Sequence, residues 1–469
     1  MYNVHFLDQS AATAGTARLR DTIVALATPP GVGAVALVRL SGPLALEIAA
    51  RLMARDAPSM AGWADRFSRL RPLFRPGSEE PLDRALVTLF RAPESYTGED
   101  MVEFSTHGGH RVPRSVVAAC MALGAREARA GEFTQRAYLN GKLDLTQAEA
   151  VADLVEARSA KGRTVALHQL ERGLGARIAE LREQVIGLSA LLVQHIDFPE
   201  EDDAPTPLDG IAAEAGRVAV EIGRLLATAP AGEALREGAV TVLAGAPNSG
   251  KSSLFNALVG VERAIVTDEP GTTRDAVEAV VEVEGFPFRL VDTAGLRVAA
   301  GKVERLGIEV ARRFLAGADV VLYCREAGRD PTGEELRFLG GLEAPVVSVR
   351  TKWDLAGGGD VREDGAVAVS VETGEGLDAL KTVLRDLVFQ GVVENRDDVP
   401  VVTRRRQADL LARAREDVEG FRVALEGGIP PEVASAHLKS AESALEDILG
   451  VIATDDVLDR VFRDFCIGK

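Results

Sequence analysis

Gly245-Ala-Pro-Asn-Ser-Gly-Lys-Ser252 narrows the possible folds of this chain more than any other stretch. It has the spacing G-x-x-x-x-G-K-[ST]. An apolar run, Val240–Ala244, enters it, and a helical pattern, Ser252–Val259, leaves it. Strand, glycine-rich turn and helix in that order turn backbone N–H groups inward around an anion, at the positive end of the helix. A glycine-rich turn that binds nothing seldom has both flanking elements. The spacing therefore predicts a triphosphate site at the edge of a parallel α/β sheet, contacted by Asn248, Ser249, Gly250, Lys251, Ser252 and Ser253. Lys251 is expected to reach the β/γ-phosphates and to act in catalysis, and the Ser252 hydroxyl to hold Mg²⁺.

Four further loops follow in order. Gly271-Thr-Thr-Arg-Asp275 offers the hydroxyls of Thr272 and Thr273, one of them for the metal. Asp292-Thr-Ala-Gly295 follows the apolar run Phe288–Val291. There Asp292 can hold the metal through water, and beyond Thr293 and Ala294 the Gly295 N–H can meet the γ-phosphate. Thr351-Lys-Trp-Asp354 follows Val346–Arg350. Asp354 can accept from guanine N1–H and N2–H₂, a pair that adenine cannot offer. Ser370-Val-Glu-Thr-Gly374 follows Ala366–Val369 and can bring N–H groups to the guanine oxygen. Singly, each is an ordinary polar loop at a strand end. In this order they resemble the translation-factor-related GTPases, which makes GTP the expected nucleotide.

Two positions depart from that pattern. Guanine specificity there uses Asn-Lys-x-Asp, and here Thr351 stands first, before Lys352. With Asp354 retained, guanine preference is expected to survive with weaker binding. Leu296 follows Gly295 where a glutamine would orient the attacking water, and leucine has no side-chain hydrogen bond to offer. Glu304 is a candidate for that task, although its position alone equally suits a solvated helix start. Asn248 can ligate a monovalent cation, with oxygens of the Thr267–Thr272 stretch, or can simply favour a left-handed turn.

The rest of the chain is read around this site. Its 469 residues suggest about three domains at ~150 residues each. Residues 21–140 alternate strand-like runs, Thr22–Ala27, Gly33–Leu40, Ala85–Phe90 and Val102–Thr106, with a helix at Val112–Leu123. From Leu143 apolar residues recur at helical spacing through Leu174, Ile178, Leu181, Val185 and Leu188, and a helix is expected at Ile211–Ala227. The acidic stretch Asp197–Pro207 interrupts these helices. Strand and helix then alternate over 238–390, in the manner of a parallel sheet. Helices return at Thr403–Leu425 and Pro431–Leu449. The expected architecture is multidomain, α/β plus all-α. It comprises an extension (1–20), an N-terminal α/β domain (21–140), a discontinuous helical domain (141–236 and 395–469) and an inserted, doubly wound P-loop domain (237–394).

Charge limits the partners. The formal net charge is −17, with +2 in residues 1–140 and −19 in the rest. So acidic a chain is a poor stand-alone nucleic-acid binder, because phosphate contacts need lysines and arginines to displace counterions. No stretch reaches the ~18 apolar residues of a membrane helix. Residues 1–20 lack the basic start and apolar run of a secretory signal, so the protein is expected to be cytoplasmic. Cys120, Cys324 and Cys466 are too few and too scattered for zinc or a disulfide framework. Cys466 has no histidine nearby in sequence to activate it, and a packing role is favoured over a nucleophilic one.

Beyond the nucleotide motifs, the chain carries Ala27-Thr-Pro-Pro-Gly31, Val38-Arg-Leu-Ser-Gly42, Tyr96-Thr-Gly-Glu-Asp100, His107-Gly-Gly109, Gly131-Glu-Phe133, Lys142-Leu-Asp-Leu145, Gln147-Ala-Glu149, Ile196-Asp-Phe-Pro199 and Phe465-Cys-Ile-Gly-Lys469. With these, it resembles the MnmE (TrmE) family of tRNA-modifying GTPases from Asp21 to Lys469. The resemblance implies an N-terminal dimerisation domain that binds a tetrahydrofolate derivative through Arg39, Glu103, Lys142 and Lys469. It implies Glu304 as the water-orienting residue, Mg²⁺ between Ser252 and Thr273, and K⁺ at Asn248, Thr267, Glu269 and Thr272. It also implies a homodimer whose GTPase domains pair in K⁺. The flavoprotein MnmG (GidA) would supply FAD and most of the tRNA contact within a heterotetramer. The implied function is GTP-driven modification of wobble uridine at C5 with a folate one-carbon unit. The alternatives are a ribosome-assembly switch GTPase, for which no basic RNA-binding domain is evident, and a self-contained folate-dependent transferase.

Overall fold

The computed structural model describes residues 21–53, 60, 62–197, 206–261, 278–292, 313–356, 362–363, 365–393, 400–451, 454–463 and 465–469. The chain forms two compact units, one of residues 1–152 with 450–469 and one of residues 153–449.

In the first unit, β1 (Ile23–Leu26), β2 (Val35–Ser41), β3 (Ser68–Phe74), β4 (Pro81–Phe90), β5 (Met101–His107) and β6 (Arg126–Glu127) form one sheet of order β3-β4-β5-β2-β1-β6. Only β6 runs parallel to its neighbour; the other pairings are antiparallel. Alternation decides what each face does. Val38, Leu40, Val102 and Phe104 are buried on one face, against the helices Ala45–Met53 and Val112–Ala122. Arg39 and Glu103 pair directly across β2 and β5 on the other face. The strands read from sequence correspond to β1, β2, β4 and β5. Strand β3 escaped that reading. It contains Pro72, and its Arg69 and Arg71 lie over the Trp63 ring, so apolar alternation is broken.

The tail Gly450–Lys469 packs with this first unit, whereas the sequence reading grouped 395–469 with the helices. Ala130 bridges to Ile467, the Phe133 N–H donates to the Lys469 carbonyl at 3.2 Å, and the Tyr138 hydroxyl donates to the Gly450 carbonyl. The apolar stripe of the helix Asp455–Phe462 announces burial but does not say which unit it docks on.

In the second unit, the helices Gly173–Asp197, Leu208–Leu226, Arg405–Glu426 and Pro431–Leu449 share one apolar core. Two blocks far apart in sequence thus make one bundle, with an α/β domain between them. That domain holds β7 (Ala239–Ala244), β8 (Glu278–Val283), β9 (Phe286–Asp292), β10 (Val320–Glu326), β11 (Val346–Thr351), β12 (Arg362–Glu363) and β13 (Ala366–Ala368), in the order β12-β13-β11-β10-β7-β9-β8. The central strands are parallel; β8 and β12 pair antiparallel to their neighbours. Phe286, Phe288 and Phe389 meet ring to ring in its core. Among the described residues, no helix is long and apolar enough to cross a membrane.

Candidate nucleotide and folate sites

The nucleotide motifs converge because parallel strands end on one side. Leu243 of β7 lies in register with Asp292 of β9, so the loop after β7 and the carboxylate ending β9 are neighbours. The chain turns sharply after β7. Gly245 has φ +143°, and a Cβ there would stand 2.1 Å from the Cys324 carbonyl oxygen, so only glycine passes this crossing. Asn248 adopts φ +61°, a left-handed conformation that asparagine tolerates, and is exposed. The helix Lys251–Val261 then starts. Lys251 Nζ donates to the Ala246 carbonyl at 2.7 Å and to the Gly245 carbonyl at 3.1 Å, which holds the cation inside the turn. The Ser252 hydroxyl donates to Asp292 Oδ2 at 2.7 Å. A hydroxyl and a carboxylate in contact form an oxygen donor set that suits a hard divalent cation.

The loops that follow β11 and β13 meet on the same rim, since these strands are parallel neighbours. The Ser370 hydroxyl donates to Asp354 Oδ1 at 2.7 Å, which fixes the carboxylate. Lys352 has φ +56°, and its ammonium pairs with Glu326 at 3.2 Å. Thr351 is buried under the glycine-rich turn. The structure therefore brings together Lys251, Ser252 and Asp292, and separately Asp354 and Ser370. Ser249 and Gly250 complete the turn, and Ser253 is exposed in the first turn of the helix. Thr267, Glu269, Thr272, Thr273, Thr293, Ala294, Gly295 and Glu304 lie outside the described residues.

A second polar site is centred on Arg39. Its guanidinium pairs with Glu103 at 2.8 Å and donates to the Gly468 carbonyl at 3.2 Å. The Tyr96 and Phe133 rings lie 5.4 and 5.6 Å from it, within cation–π range. The Tyr96 hydroxyl is 2.9 Å from that of Thr134. Burial pushes the Lys469 ammonium below its ordinary pKa, and the Arg39 charge pushes it further. Lys142 donates to the Pro93 carbonyl at 2.9 Å, and among the described residues no hydrogen bond or ion pair links it to Glu103. Sequence reading missed Tyr96 and Phe133 as partners of Arg39. Both stood in the motifs Tyr96–Asp100 and Gly131–Phe133, but nothing in those motifs tied them to the arginine inside an apolar strand.

The cysteines divide by burial. Burial pushes the Cys120 and Cys324 thiols up to about 12. Cys466 is exposed, so the packing role favoured for it does not hold.

Comparison with known proteins covers almost the whole chain. The family model described as "MnmE helical domain" matches residues 145–466, and that described as "GTP-binding protein TrmE N-terminus" matches residues 22–142. A tRNA modification GTPase MnmE from Moorella thermoacetica is 40% identical over 464 residues, spanning 96% of this chain and 100% of the relative. One from Thermus thermophilus is 43% identical over 453 residues, again across 96% of this chain and 100% of the relative.

Proposed function

Because this chain belongs to the MnmE family of tRNA modification GTPases, we propose that it hydrolyses GTP and uses that hydrolysis to drive modification of the tRNA wobble uridine. The observation that carries the GTPase reading is the Ser252–Asp292 contact beside the enclosed Lys251, on the same rim as the Asp354–Ser370 pair. One end suits a metal-bound triphosphate, and the other the donor edge of guanine. Ser252 and Asp292 would hold Mg²⁺, which would supply positive charge against the phosphates. Lys251 contributes a point charge to the β/γ-phosphates. Asp354, oriented by Ser370, accepts from guanine N1–H and N2–H₂. Glu304 would position the attacking water.

Asn248, exposed on the left-handed turn, would supply an amide oxygen to K⁺. On this reading K⁺ promotes pairing of two such domains in a homodimer, so GTP turnover is much faster in K⁺ than in Na⁺. Equal rates in the two salts would refute that part.

Arg39, Glu103 and Lys469 suit a tetrahydrofolate derivative, which would supply the one-carbon unit. A glutamate pairs with ring N–H donors, and cations with glutamyl carboxylates. The acidic chain would rely on the flavoprotein MnmG for FAD and for most of the tRNA contact, in the cytoplasm. Nucleoside mass spectrometry of tRNA from cells lacking the protein tests the whole reading. Loss of the C5 substituent at wobble uridine is expected, and unchanged wobble nucleosides would overturn it.

A further inference from the structure

Thr351 begins the loop that ends in Asp354, but its hydroxyl is already engaged elsewhere. Its Oγ1 lies 2.8 Å from the Ser249 carbonyl oxygen and 3.0 Å from the Arg325 carbonyl oxygen. These acceptors belong to the glycine-rich turn and to the end of β10. The side chain is 3% exposed. It also lies against Gly250, where an added Cβ would come within 3.1 Å of Thr351 Cβ and Oγ1. Residue 351 thus ties together three strand ends: the turn after β7, the end of β10 and the end of β11.

The donor inventory gives this tie a chemical consequence. A threonine hydroxyl carries one proton, whereas an asparagine amide carries two N–H donors. An amide at this position can donate to the turn and still offer a second N–H to a bound purine. A hydroxyl between two backbone carbonyls has nothing left to offer. Guanine N7 is an acceptor and needs a donor to be read. The neighbouring Lys352 ammonium is paired with Glu326 at 3.2 Å.

We infer that Thr351 is a positioning residue that locks the phosphate-binding turn to the base-recognition loop, and that this protein reads guanine through its N1/N2 edge with no N7 contact from residue 351. The inference rests on the GTP reading above and defines its specificity. Selection against adenine then falls on Asp354.

The test uses 7-deaza-GDP, in which N7 is replaced by C–H and the N1/N2 edge is intact. GDP and 7-deaza-GDP are titrated separately against fluorescent mant-GDP on the full chain, with Mg²⁺ present. The two are expected to bind the wild-type protein within about threefold of each other, the scale of half a decade in Kd. In Thr351→Asn, GDP is expected to gain about tenfold over 7-deaza-GDP, one decade in Kd. A wild-type preference for GDP beyond that threefold window overturns the inference. So does a folded asparagine variant whose ratio matches the wild type. Should the variant fail to fold, the wild-type ratio decides alone. If mant-GDP does not bind at all, the functional reading itself falls, and this inference with it.

Discussion

Arg136 is fully buried, and its charge is matched on several sides. It pairs with Asp21 at 2.6 Å, Glu99 at 3.1 Å and Glu132 at 3.2 Å. Removing one partner of such a buried cluster leaves uncompensated charge, which costs about 3–5 kcal/mol. Arg136→Met is expected to lose that much stability in urea unfolding of the N-terminal unit. Arg136→Lys should fall between, because an ammonium cannot reproduce the planar fork. The same cluster sets a pH dependence. Burial alone would raise the Asp21 and Glu132 carboxyls, but hydrogen bonds from Arg126, joined by those of Arg136 to Asp21 and the Arg129 N–H to Glu132, hold both below their ordinary values of 3.8 and 4.5. Between those values and the folded ones, the unfolded chain binds more protons. The stabilisation is therefore complete at neutral pH and is lost as pH falls from 4.5 through the depressed values. Urea midpoints measured at neutral and acid pH should show this decline in the wild type, and a shallower one in Arg126→Ala.

Elements carry the next set of constraints. The helix Ala229–Glu237 approaches the segment that returns from the α/β domain to the bundle so closely that a Cβ on Gly232 would stand 1.9 Å from the Val402 carbonyl oxygen. Around that crossing, the Val402 N–H donates to the Thr228 hydroxyl at 3.0 Å and Gln169 donates to the Val401 carbonyl at 2.7 Å. The two nearest atoms are Val402 backbone, which has no flexible end to yield. Gly232→Ala is expected to cost about 1–3 kcal/mol, the usual penalty for overpacking, read as a lower thermal midpoint of the second unit. The crossing also shows where sequence reading ends. Helices with clean periodicity, such as that of Leu174, Ile178, Leu181 and Val185, were legible because one stripe faces one core. The helix Ala229–Glu237 was not, since its 9 residues are too few for a pattern to repeat. Among the site residues, Lys251, Ser252, Asp292, Asp354 and Ser370 were legible from local loop spacing at strand ends. Arg39, Glu103 and Lys469 are joined only by tertiary contact, and resemblance alone brought them together in the sequence. The Tyr96 and Phe133 rings needed the coordinates.

For the whole molecule, the two proposed sites fall in different units. The nucleotide residues lie in the second unit, whereas Arg39, Glu103 and Lys469 lie in the first. Deleting Gly468 and Lys469 removes one acceptor from Arg39 and one cation from its neighbourhood. Binding of a tetrahydrofolate derivative, measured by isothermal titration calorimetry, should weaken at least about tenfold, one decade in Kd. Guanine nucleotide affinity, measured on the same sample, then reports that the other unit is intact.

The docking of the tail bears on synthesis. A ribosome makes Ala130 early and its bridge partner Ile467 late. Phe462 and Phe465, which pack against Gly131, emerge only after the nucleotide-binding domain has been translated. The first-made unit therefore waits for a segment made much later. A prematurely terminated polypeptide leaves Gly131 without those phenylalanines and the Phe133 N–H without the Lys469 carbonyl, a ready target for chaperones and proteases that discard incomplete chains.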